Sequence, residues 1–413
     1  MSWVECSLNE IGSFKNGLNF KKDQMGSGYP LINVKDITSN ILLRSKMLDL
    51  VDVSIKGKSA SYLAEKGDVF FVRSSVKREG VGMVGMLDDD EKKTVHCGFV
   101  IRFRPKQDII YSRFLLYLLS SPYWRESVRN LSGGTAIINV SQGALKTLSI
   151  KFPISLQTQK RIADILSAYD DLIENNLKRI KLLEQAAQNI YKEWFVNLRF
   201  PGHENTPINE ETGLPEGWEY GVISHLCKFK SGYAFKSKHW KKEGNPVIKI
   251  KNINNNTVNI ADSDFVDDEV AEIANKYELF PGDVIIAMTG ATVGKVGLIP
   301  KIDKRIYLNQ RVGLFRPLSK ENDNIVLVFS FFLTDDSQQQ VLNFAQGAAQ
   351  PNISGSEIGN IKLNIADSKV LSLFNKMIKP SFDLIQSLYG QNQELKAARD
   401  ILLPRLMNRT IAA

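Results

Sequence analysis

The chain has 413 residues, a length that accommodates at least two domains of ordinary size. Its content of 43% hydrophobic and 24% charged residues excludes wholesale disorder. The formal net charge of +8 favours a polyanion as partner.

The three cysteines and the apolar runs exclude several other classes of protein. Cys6, Cys97 and Cys227 are scattered and odd in number, which argues against a disulfide framework or a zinc site and indicates a reducing compartment. No secretory signal pattern opens the sequence, and no apolar run is long enough to span a bilayer. We therefore expect a cytoplasmic protein with no membrane partner.

Residues 1–152 are predicted to form a first globular domain. Stretches rich in β-branched and aromatic residues at 30–37 and 69–73 indicate short strands, because Gly, Asn and Asp turns bound them. Residues 112–119 have a helical pattern. We expect helices inside the globular parts to be limited to this one and a counterpart at 325–333.

Residues 153–199 are predicted to form a long helix. Mainly apolar residues recur there in alternating steps of four and three, the pattern of a coiled-coil seam. A helix packed on its own domain would instead have a wider apolar stripe that drifts at a period of 3.6. Asn176 would lie in the seam, where a buried amide costs stability but fixes the register. The predicted seam residues are Ile162, Leu166, Ile173, Asn176, Ile180, Leu183 and Ile190.

The same order of elements follows a linker at 200–217 that is rich in Pro and Gly. Residues 218–366 are predicted to form a second globular domain, with strands at 246–253 and 284–288. Residues 367–413 are predicted to form a second long helix, and its seam contains Ile385, Leu388, Asn392, Leu395 and Leu402. Because Pro380 and Gly390 are unfavourable inside a helix, we expect this helix to be kinked or to begin late.

The two halves are an internal repeat. Residues 67–71, Gly-Asp-Val-Phe-Phe, recur as Gly-Asp-Val-Ile-Ile at 282–286, and Phe-Lys-Asn-Gly at 14–17 recurs as Phe-Lys-Ser-Gly at 229–232. The order of such matches is preserved along the chain, which chance similarity does not produce. We therefore predict an α+β fold of two mixed-sheet domains separated by two long helices that form a coiled coil. The helices could pair in parallel or antiparallel, and loop length does not decide; we favour the antiparallel pair because it relates the two halves by a pseudo-twofold axis.

Helices of this length would span on the order of 50 Å, more than one turn of DNA at about 34 Å. Two globular domains at opposite ends of such a pair would reach separate patches on one face of a duplex.

Motifs that suggest catalysis or cofactor binding fail in their context. Residues 80–85 spell G-x-G-x-x-G, but a basic loop precedes them and an acidic run follows where a dinucleotide site requires a helix. Residues 290–296 resemble a phosphate-binding loop that is one residue too short and lacks the Ser or Thr that would hold magnesium. The four histidines are well separated, and no serine lies in a G-x-S-x-G elbow. We predict no catalytic residue, no metal and no cofactor bound by this chain.

Basic and polar turns remain as a candidate DNA-binding surface. Lys and Arg in such turns would contact phosphates, while Asn, Gln, Ser and Thr would contact base edges. A single turn of this kind is often mere solvated surface, but these turns occur at matching places in both copies. The candidates are Lys15, Asn16, Lys21, Lys35, Arg73, Ser74, Lys77, Arg78, Thr135, Lys230, Tyr233, Lys236, Lys251, Thr289, Thr292, Lys295, Gln310, Arg311 and Gln350.

Together these features resemble the specificity subunit of type I restriction-modification systems, over essentially the whole chain. The first copy carries the resemblance in Pro153 with Gln159, in Asp-Leu-Ile-Glu at 171–174, and in Tyr-Lys-Glu-Trp-Phe at 191–195. The second carries it in Asp-Leu-Ile at 383–385 and Leu-Pro-Arg-Leu-Met at 403–407.

The resemblance implies a non-catalytic subunit that binds a bipartite, asymmetric sequence in double-stranded DNA, one half per domain. It also implies two modification subunits docked on the helices and neighbouring domain surfaces, and two restriction subunits in the full complex. S-adenosylmethionine would then be bound by the modification subunit. A coiled-coil adaptor for proteins, or a stand-alone DNA methyltransferase, are the alternatives; the paired basic loops argue against the first and the missing catalytic motifs against the second.

Overall fold

The computed structural model describes residues 2–55, 57–75, 80–131, 138–320, 323–345 and 351–407. Four predicted DNA-binding residues, Lys77, Arg78, Thr135 and Gln350, lie outside this part of the chain. The chain divides into two compact units: unit 1 contains Met1–Asp171 with Leu395–Ala413, and unit 2 contains Leu172–Glu394. The division runs through both long helices.

Unit 1 contains a five-stranded and a three-stranded sheet, with two short strand pairs. The strands are β1 (Trp3–Ser7), β2 (Gly12–Asn16), β3 (Met25–Ile32), β4 (Leu42–Leu43), β5 (Leu50–Val51), β6 (Val69–Val72), β7 (Ser74–Ser75), β8 (Val84–Leu87), β9 (Val95–His96), β10 (Val100–Pro105), β11 (Ile138–Asn139) and β12 (Ser149–Pro153). The helices are α1 (Leu8–Ile11), α2 (Val34–Ser39), α3 (Ser112–Ser120), α4 (Pro122–Leu131), α5 (Gln142–Thr147) and the start of α6 (Leu156–Tyr191). The sheet orders are β2-β10-β6-β8-β4, β5-β3-β9, β1-β12 and β7-β11.

Unit 2 repeats this architecture. Its strands are β13 (Glu219–Val222), β14 (Cys227–Ser231), β15 (Asn245–Ile248), β16 (Ile253–Asn254), β17 (Thr257–Val258), β18 (Asp264–Val266), β19 (Glu278–Leu279), β20 (Val284–Ala287), β21 (Val296–Leu298), β22 (Ile306–Leu308), β23 (Val312–Pro317) and β24 (Lys362–Ile365). Its helices are α7 (Asp268–Ile273), α8 (Ile325–Phe332), α9 (Asp335–Phe344), α10 (Gly355–Gly359) and most of α11 (Ser368–Met407). The sheet orders are β14-β23-β20-β21-β17-β16, β18-β15-β22-β19 and β13-β24.

The central strands confirm the predicted strands at 69–73 and 284–288. All four residues of β6 and of β20 are buried, as expected of β-branched and aromatic runs covered on both faces. Both strands lie between an antiparallel partner that carries an Arg-Pro ending, β10 or β23, and an antiparallel partner that follows a glycine-rich turn, β8 or β21.

The predicted strands at 30–37 and 246–253 are wrong in their second halves. In unit 1, β3 ends at Ile32, and the side chain of Asn33 then accepts a hydrogen bond from the Val34 amide (2.8 Å) to begin α2. In unit 2, the Asn252 side chain accepts from the Lys249 amide (2.9 Å) and closes a single helical turn. A short polar side chain that bonds to nearby backbone competes with the strand ladder.

The prediction that helices inside the globular parts are limited to two is also wrong. The helices predicted at 112–119 and 325–333 are present as α3 and α8, but each is followed by a second helix, α4 or α9. Only Ser121 separates α3 from α4, and Thr334 caps α9 by accepting from the Ser337 amide (3.3 Å).

The second long helix does not begin late. It begins at Ser368, where the carboxylate of Asp367 accepts hydrogen bonds from the amides of Lys369 (2.7 Å) and Val370 (3.2 Å). The helix continues past Pro380 and Gly390 to Met407. Gly390 has a packing reason, because a side-chain carbon there would collide with the carbonyl oxygen of Lys301.

The two long helices contact each other in opposite chain directions. In unit 2, Phe195 packs against Phe374 (ring centroids 5.1 Å apart), and the Asn176 amide donates to the Asn392 carbonyl oxygen (3.0 Å). In unit 1, Arg399 forms an ion pair with Asp170, and Leu403, Leu406 and Met407 share a core with Ile162, Ala163 and Leu166. Residue numbers fall on one helix as they rise on the other, so the pair is antiparallel; its supercoiling stays a prediction. Among the predicted seam residues, the partly buried ones are Leu183, Ile190, Leu395 and Leu402, and the rest are buried.

Candidate nucleic-acid interface

In each unit, four turns meet at one end of the large sheet and are joined by backbone hydrogen bonds. The unit 1 bonds run from Gly17 N to Val100 O (3.2 Å), Leu18 N to His96 O (2.8 Å), Arg73 N to Phe99 O (2.9 Å) and Val140 N to Arg73 O (2.9 Å). The unit 2 bonds run from Gly232 N to Val312 O (3.1 Å), Tyr233 N to Leu308 O (2.8 Å), Met288 N to Arg311 O (3.0 Å) and Ile353 N to Met288 O (2.9 Å). We call these turns the loop clusters; they comprise 16–18, 73–75, 97–99 and 138–140 in unit 1, and 231–233, 288–290, 309–311 and 351–353 in unit 2.

The glycine of the repeated Phe-Lys-x-Gly motif allows two of these turns to pack against each other. A side-chain carbon at Gly17 would collide with the carbonyl of Cys97, and one at Gly232 would collide with the carbonyl of Asn309. Glycine therefore lets the turn after β2 or β14 lie directly on the turn before β10 or β23.

The backbone bonds define which positions of the two clusters correspond, and most of these positions carry different side chains. Gly17 and Gly232 are shared, and so are Asn139 and Asn352. The differing pairs include Asn16 and Ser231, Leu18 and Tyr233, Arg73 and Met288, Ser74 and Thr289, Gly98 and Gln310, and Phe99 and Arg311. One backbone frame thus presents two chemically different surfaces.

The unit 1 cluster combines amides, hydroxyls, an arginine and an exposed aromatic ring. The Ser74 hydroxyl donates to the Asn139 side-chain oxygen, and the Gln142 amide donates to Asn16 (3.0 Å). Phe99 is 62% exposed beside them. Amide and hydroxyl groups of this kind are suited to base edges, and an exposed ring is suited to apolar contact with a base.

The unit 2 cluster surrounds an open cavity of about 430 Å³. Its lining residues are Met288, Thr289, Gln310, Arg311, Pro351 and Asn352. The hydroxyl of Thr289 is buried and has no hydrogen-bond partner among the described residues, and the same holds for Thr292 in the following turn. Buried hydroxyls without a partner are rare in proteins. Of the two, only Thr289 lines the cavity, so it is the one that a ligand there would approach.

The remaining candidate lysines divide into free and engaged side chains. Lys21, Lys236 and Lys295 are exposed, whereas Lys15 stacks over Tyr62 (4.6 Å) and Lys230 over Tyr277 (4.5 Å). Lys35 and Lys251 lie outside the loop clusters. They form ion pairs with Asp49 and with Asp264 (3.1 Å), respectively.

Phe99 was not among the DNA-binding residues predicted from the sequence. Gln310 and Arg311, which form the corresponding turn in unit 2, were among them. Phe99 follows a glycine between two short strands, and an apolar residue in that position looks like part of the core. Aligning the two copies of the repeat would have identified Phe99, because it occupies the position of Arg311.

His96 lies behind the unit 1 cluster. It is fully buried, and one ring nitrogen lies 3.3 Å from the carbonyl oxygen of Lys15 while the other has no partner among the described residues. Burial lowers the pKa of this imidazole to about 4, so it is neutral at pH 7. The corresponding residue in unit 2 is Leu308, which indicates a packing position.

The repeated Gly-Asp-Val motif is part of the framework. The carboxylate of Asp68 accepts from the Glu65 amide (2.8 Å) and binds Arg104 (2.8 Å); Asp283 binds the Phe280 amide (2.8 Å) and Arg316 in the same way. Burial raises the pKa of Asp283 to about 6 in spite of its arginine partner. Each carboxylate closes the turn before a central strand.

The two glycine-rich motifs have the wrong context for phosphate binding. The strands β8 and β21 follow them, where a dinucleotide site or phosphate-binding loop requires a helix. Within the described ranges, no group of three or more His, Cys, Asp or Glu residues is placed to hold a metal, and no helix is long and apolar enough to cross a membrane.

The family model for the type I restriction modification DNA specificity domain matches this chain twice, over residues 1–185 and 215–383. The chain belongs to this family. The two matches confirm the predicted resemblance and the two-domain α+β fold.

Similar proteins match over nearly their whole length. The MjaIX specificity subunit of Methanocaldococcus jannaschii is 25% identical, over 98% of this chain and 92% of its own. The HindI specificity subunit of Haemophilus influenzae is 24% identical, over 99% of both chains. The crystal structure of a type I restriction-modification S subunit from M. genitalium shares the fold, with a TM-score of 0.55 at 18% identity over 98% of this chain and 96% of that one.

Proposed function

We propose that this chain is the non-catalytic DNA-specificity subunit of a type I restriction-modification complex, and that each domain reads one half of a bipartite, asymmetric DNA sequence. The observation that carries the proposal is the pair of loop clusters, in which one backbone frame holds unlike polar, basic and apolar side chains. An asymmetric target requires two unlike reading surfaces, and a repeated frame provides them.

Docking of two modification subunits is supported by a leucine that occurs in both long helices. Leu172 and Leu384 occupy the same place in the repeated Asp-Leu-Ile motif, and they are 51% and 37% exposed. Their neighbours Ile173 and Ile385 are buried. Exposed apolar residues at equivalent positions suit one docking surface presented twice. In the proposed complex S-adenosylmethionine is bound by the modification subunits, and two restriction subunits are added for cleavage.

Methyl transfer tests the division of labour. The purified chain is incubated with DNA and labelled S-adenosylmethionine, first alone and then with the product of an adjacent methyltransferase gene. We expect methylation of a split sequence only in the mixture. Methyl transfer by the chain alone would show that it is an enzyme, and a mixture that methylates without sequence preference would refute the specificity role.

Charge substitutions test the docking surface. We expect Leu172→Glu and Leu384→Glu each to remove one bound modification subunit, because a carboxylate cannot be buried in an apolar contact without a partner. Leu182→Glu is the matched control: Leu182 is exposed on the same helix, and its equivalent in the second helix is Glu394. The mass of the purified complex gives the stoichiometry. Two modification subunits on the Leu172→Glu, Leu384→Glu double variant would place docking elsewhere.

A further inference from the structure

Each loop cluster contains one arginine on the same pair of hydrogen-bonded backbone positions, but on opposite members of the pair. In unit 1 the pair is Arg73 and Phe99, joined by Arg73 N to Phe99 O (2.9 Å). In unit 2 it is Met288 and Arg311, joined by Met288 N to Arg311 O (3.0 Å). The arginine therefore follows the central strand in unit 1 and precedes its neighbouring strand in unit 2, while the backbone hydrogen bond is the same in both units.

Among the described residues, neither of these guanidinium groups has a partner within the fold. Arg73 and Arg311 have no carboxylate, carbonyl or ring partner in the described part of the chain. The arginines within the neighbouring strands differ, since Arg104 binds Asp68 (2.8 Å) and Arg316 binds Asp283. A guanidinium with no partner in the fold is available for a ligand. In unit 2 it lies beside the hydroxyl of Thr289, which has no described partner either, and in unit 1 beside the hydrogen-bonded side chains of Ser74 and Asn139.

We propose that Arg73 and Arg311 each read a guanine, and that the exchange of the arginine between the two backbone positions places that guanine differently in the two half-sites. The inference rests on the proposed function. A guanidinium matches the O6 and N7 acceptors of guanine with two parallel hydrogen bonds, the commonest specific contact in the major groove.

The size of the exchange fits a change of base position. Neighbouring strands lie about 4.8 Å apart. Successive bases are about 3.4 Å apart along one strand of DNA. Moving the arginine from one member of the pair to the other therefore shifts the base that its guanidinium can contact by one to two base pairs. Phe99 fills the vacated position in unit 1, where it would make apolar contact with the neighbouring base.

The test transplants the unit 2 arrangement into unit 1. The full chain carrying Arg73→Met with Phe99→Arg is assembled with the modification subunit, and the methylated sequences are mapped. We expect the required guanine of the first half-site to move by one or two positions and the second half-site to stay unchanged. The reverse exchange, Met288→Arg with Arg311→Phe, should move the guanine of the second half-site only.

A base analogue tests the contact itself. Replacing the guanine by 7-deazaguanine removes N7 and keeps base pairing. Binding by the wild-type complex should weaken roughly 5- to 150-fold. With Arg73→Met in unit 1, the analogue in the first half-site should cause no further loss. Arg73→Lys should also lose discrimination, because an ammonium group lacks the paired donors.

Controls separate failure of this inference from failure of the proposed function. Lys66→Met removes an exposed charge at the opposite end of β6 and should leave the mapped sequence unchanged. If the wild-type complex methylates a split sequence and the exchanged variants methylate that same sequence, the arginine proposal is wrong. Absence of sequence-specific methylation in the wild type would instead overturn the proposed function. Hydrogen exchange of β6 and β10 shows whether the unit 1 variants are folded, and hydrogen exchange of β20 and β23 shows the same for the unit 2 variant.

Discussion

His96 and Leu308 occupy equivalent strand positions behind the loop clusters and give unit 1 a sensitivity to acid that unit 2 lacks there. The pKa of His96 is about 4 in the folded chain because the ring is buried, and about 6.5 in an unfolded chain. Between these values the unfolded chain binds a proton that the folded chain does not. Stability that is fully present above pH 6.5 is therefore lost as pH falls towards 4, by up to about 3 kcal/mol.

We expect His96→Leu to remove most of this acid sensitivity from unit 1. The measurement is hydrogen exchange in β6 and β10 at pH 7.5 and pH 5, in the wild type and in the His96→Leu variant, so that each strand is its own control. Equal loss of protection in the wild type and the variant at pH 5 would assign the acid sensitivity to other groups.

Some residues were predictable from the sequence because a local backbone requirement fixes them, and others were not. Gly17 and Gly232 stand out in the repeat because no side chain fits between the turns. The contact of Lys35 and Lys251 with DNA stays a prediction, but the sequence did not reveal their ion pairs. Asp49 directly precedes β5, which pairs with β3, and Asp264 lies in β18, which pairs with β15. Side-chain pairing of that kind depends on tertiary contacts that a pattern of residues does not contain.

At the scale of elements, Asn176 and Asn392 offer a direct test of how the long helices are held in register. Both side chains are buried. The Oδ1 of Asn392 accepts from Asn176, whereas its Nδ2 has no partner among the described residues. We expect Asn176→Leu to destabilise unit 2 by roughly 1–3 kcal/mol, because it leaves the Asn392 amide buried and unpaired. The double variant Asn176→Leu, Asn392→Leu should recover much of that loss and reduce register specificity.

Urea unfolding followed by circular dichroism at 222 nm measures the four proteins of this cycle. Coupling between the two substitutions of more than about 0.5 kcal/mol is expected for residues in contact. Additive effects of the two single substitutions would mean that the hydrogen bond does not stabilise the helix pair.

The helices were predicted more successfully than their ends. The alternating apolar spacing located both long helices, but different residues begin them. Ser155 caps α6 by accepting from the Thr158 amide (3.3 Å), and Asp367 caps α11 at the equivalent position by accepting from the Val370 amide (3.2 Å). Gln159 further holds the start of α6 through Pro153 O (2.8 Å) and the Tyr111 amide (2.7 Å). Equivalent ends built from unlike residues are invisible to a search for repeated motifs.

At the scale of the whole molecule, the repeat predicted that both domains share one topology, but not what that topology is. The pairing of β4 with β8 and of β17 with β21, both parallel, joins short strands that carry almost no pattern of their own. The repeat also predicted that function lies in the differences between copies. In the loop clusters the glycines and backbone bonds are the same and the side chains differ; that these differences set the DNA sequence stays a prediction.

The long helices are predicted to set the gap between the two half-sites. They contain 36 and 40 residues, which correspond to roughly 55 and 60 Å. Inserting one heptad into each helix beside Asn176 and Asn392 preserves the seam and adds about 10 Å, the length of about three base pairs. We expect the methylated sequence of the assembled complex to gain about three base pairs of gap while both half-sites stay unchanged. A seven-residue insertion at Gly213, an exposed linker position whose side chain would meet no neighbour, should leave the gap as it is. Altered half-sites after the helix insertions, or an unaltered gap, would show that the helices do not measure the distance.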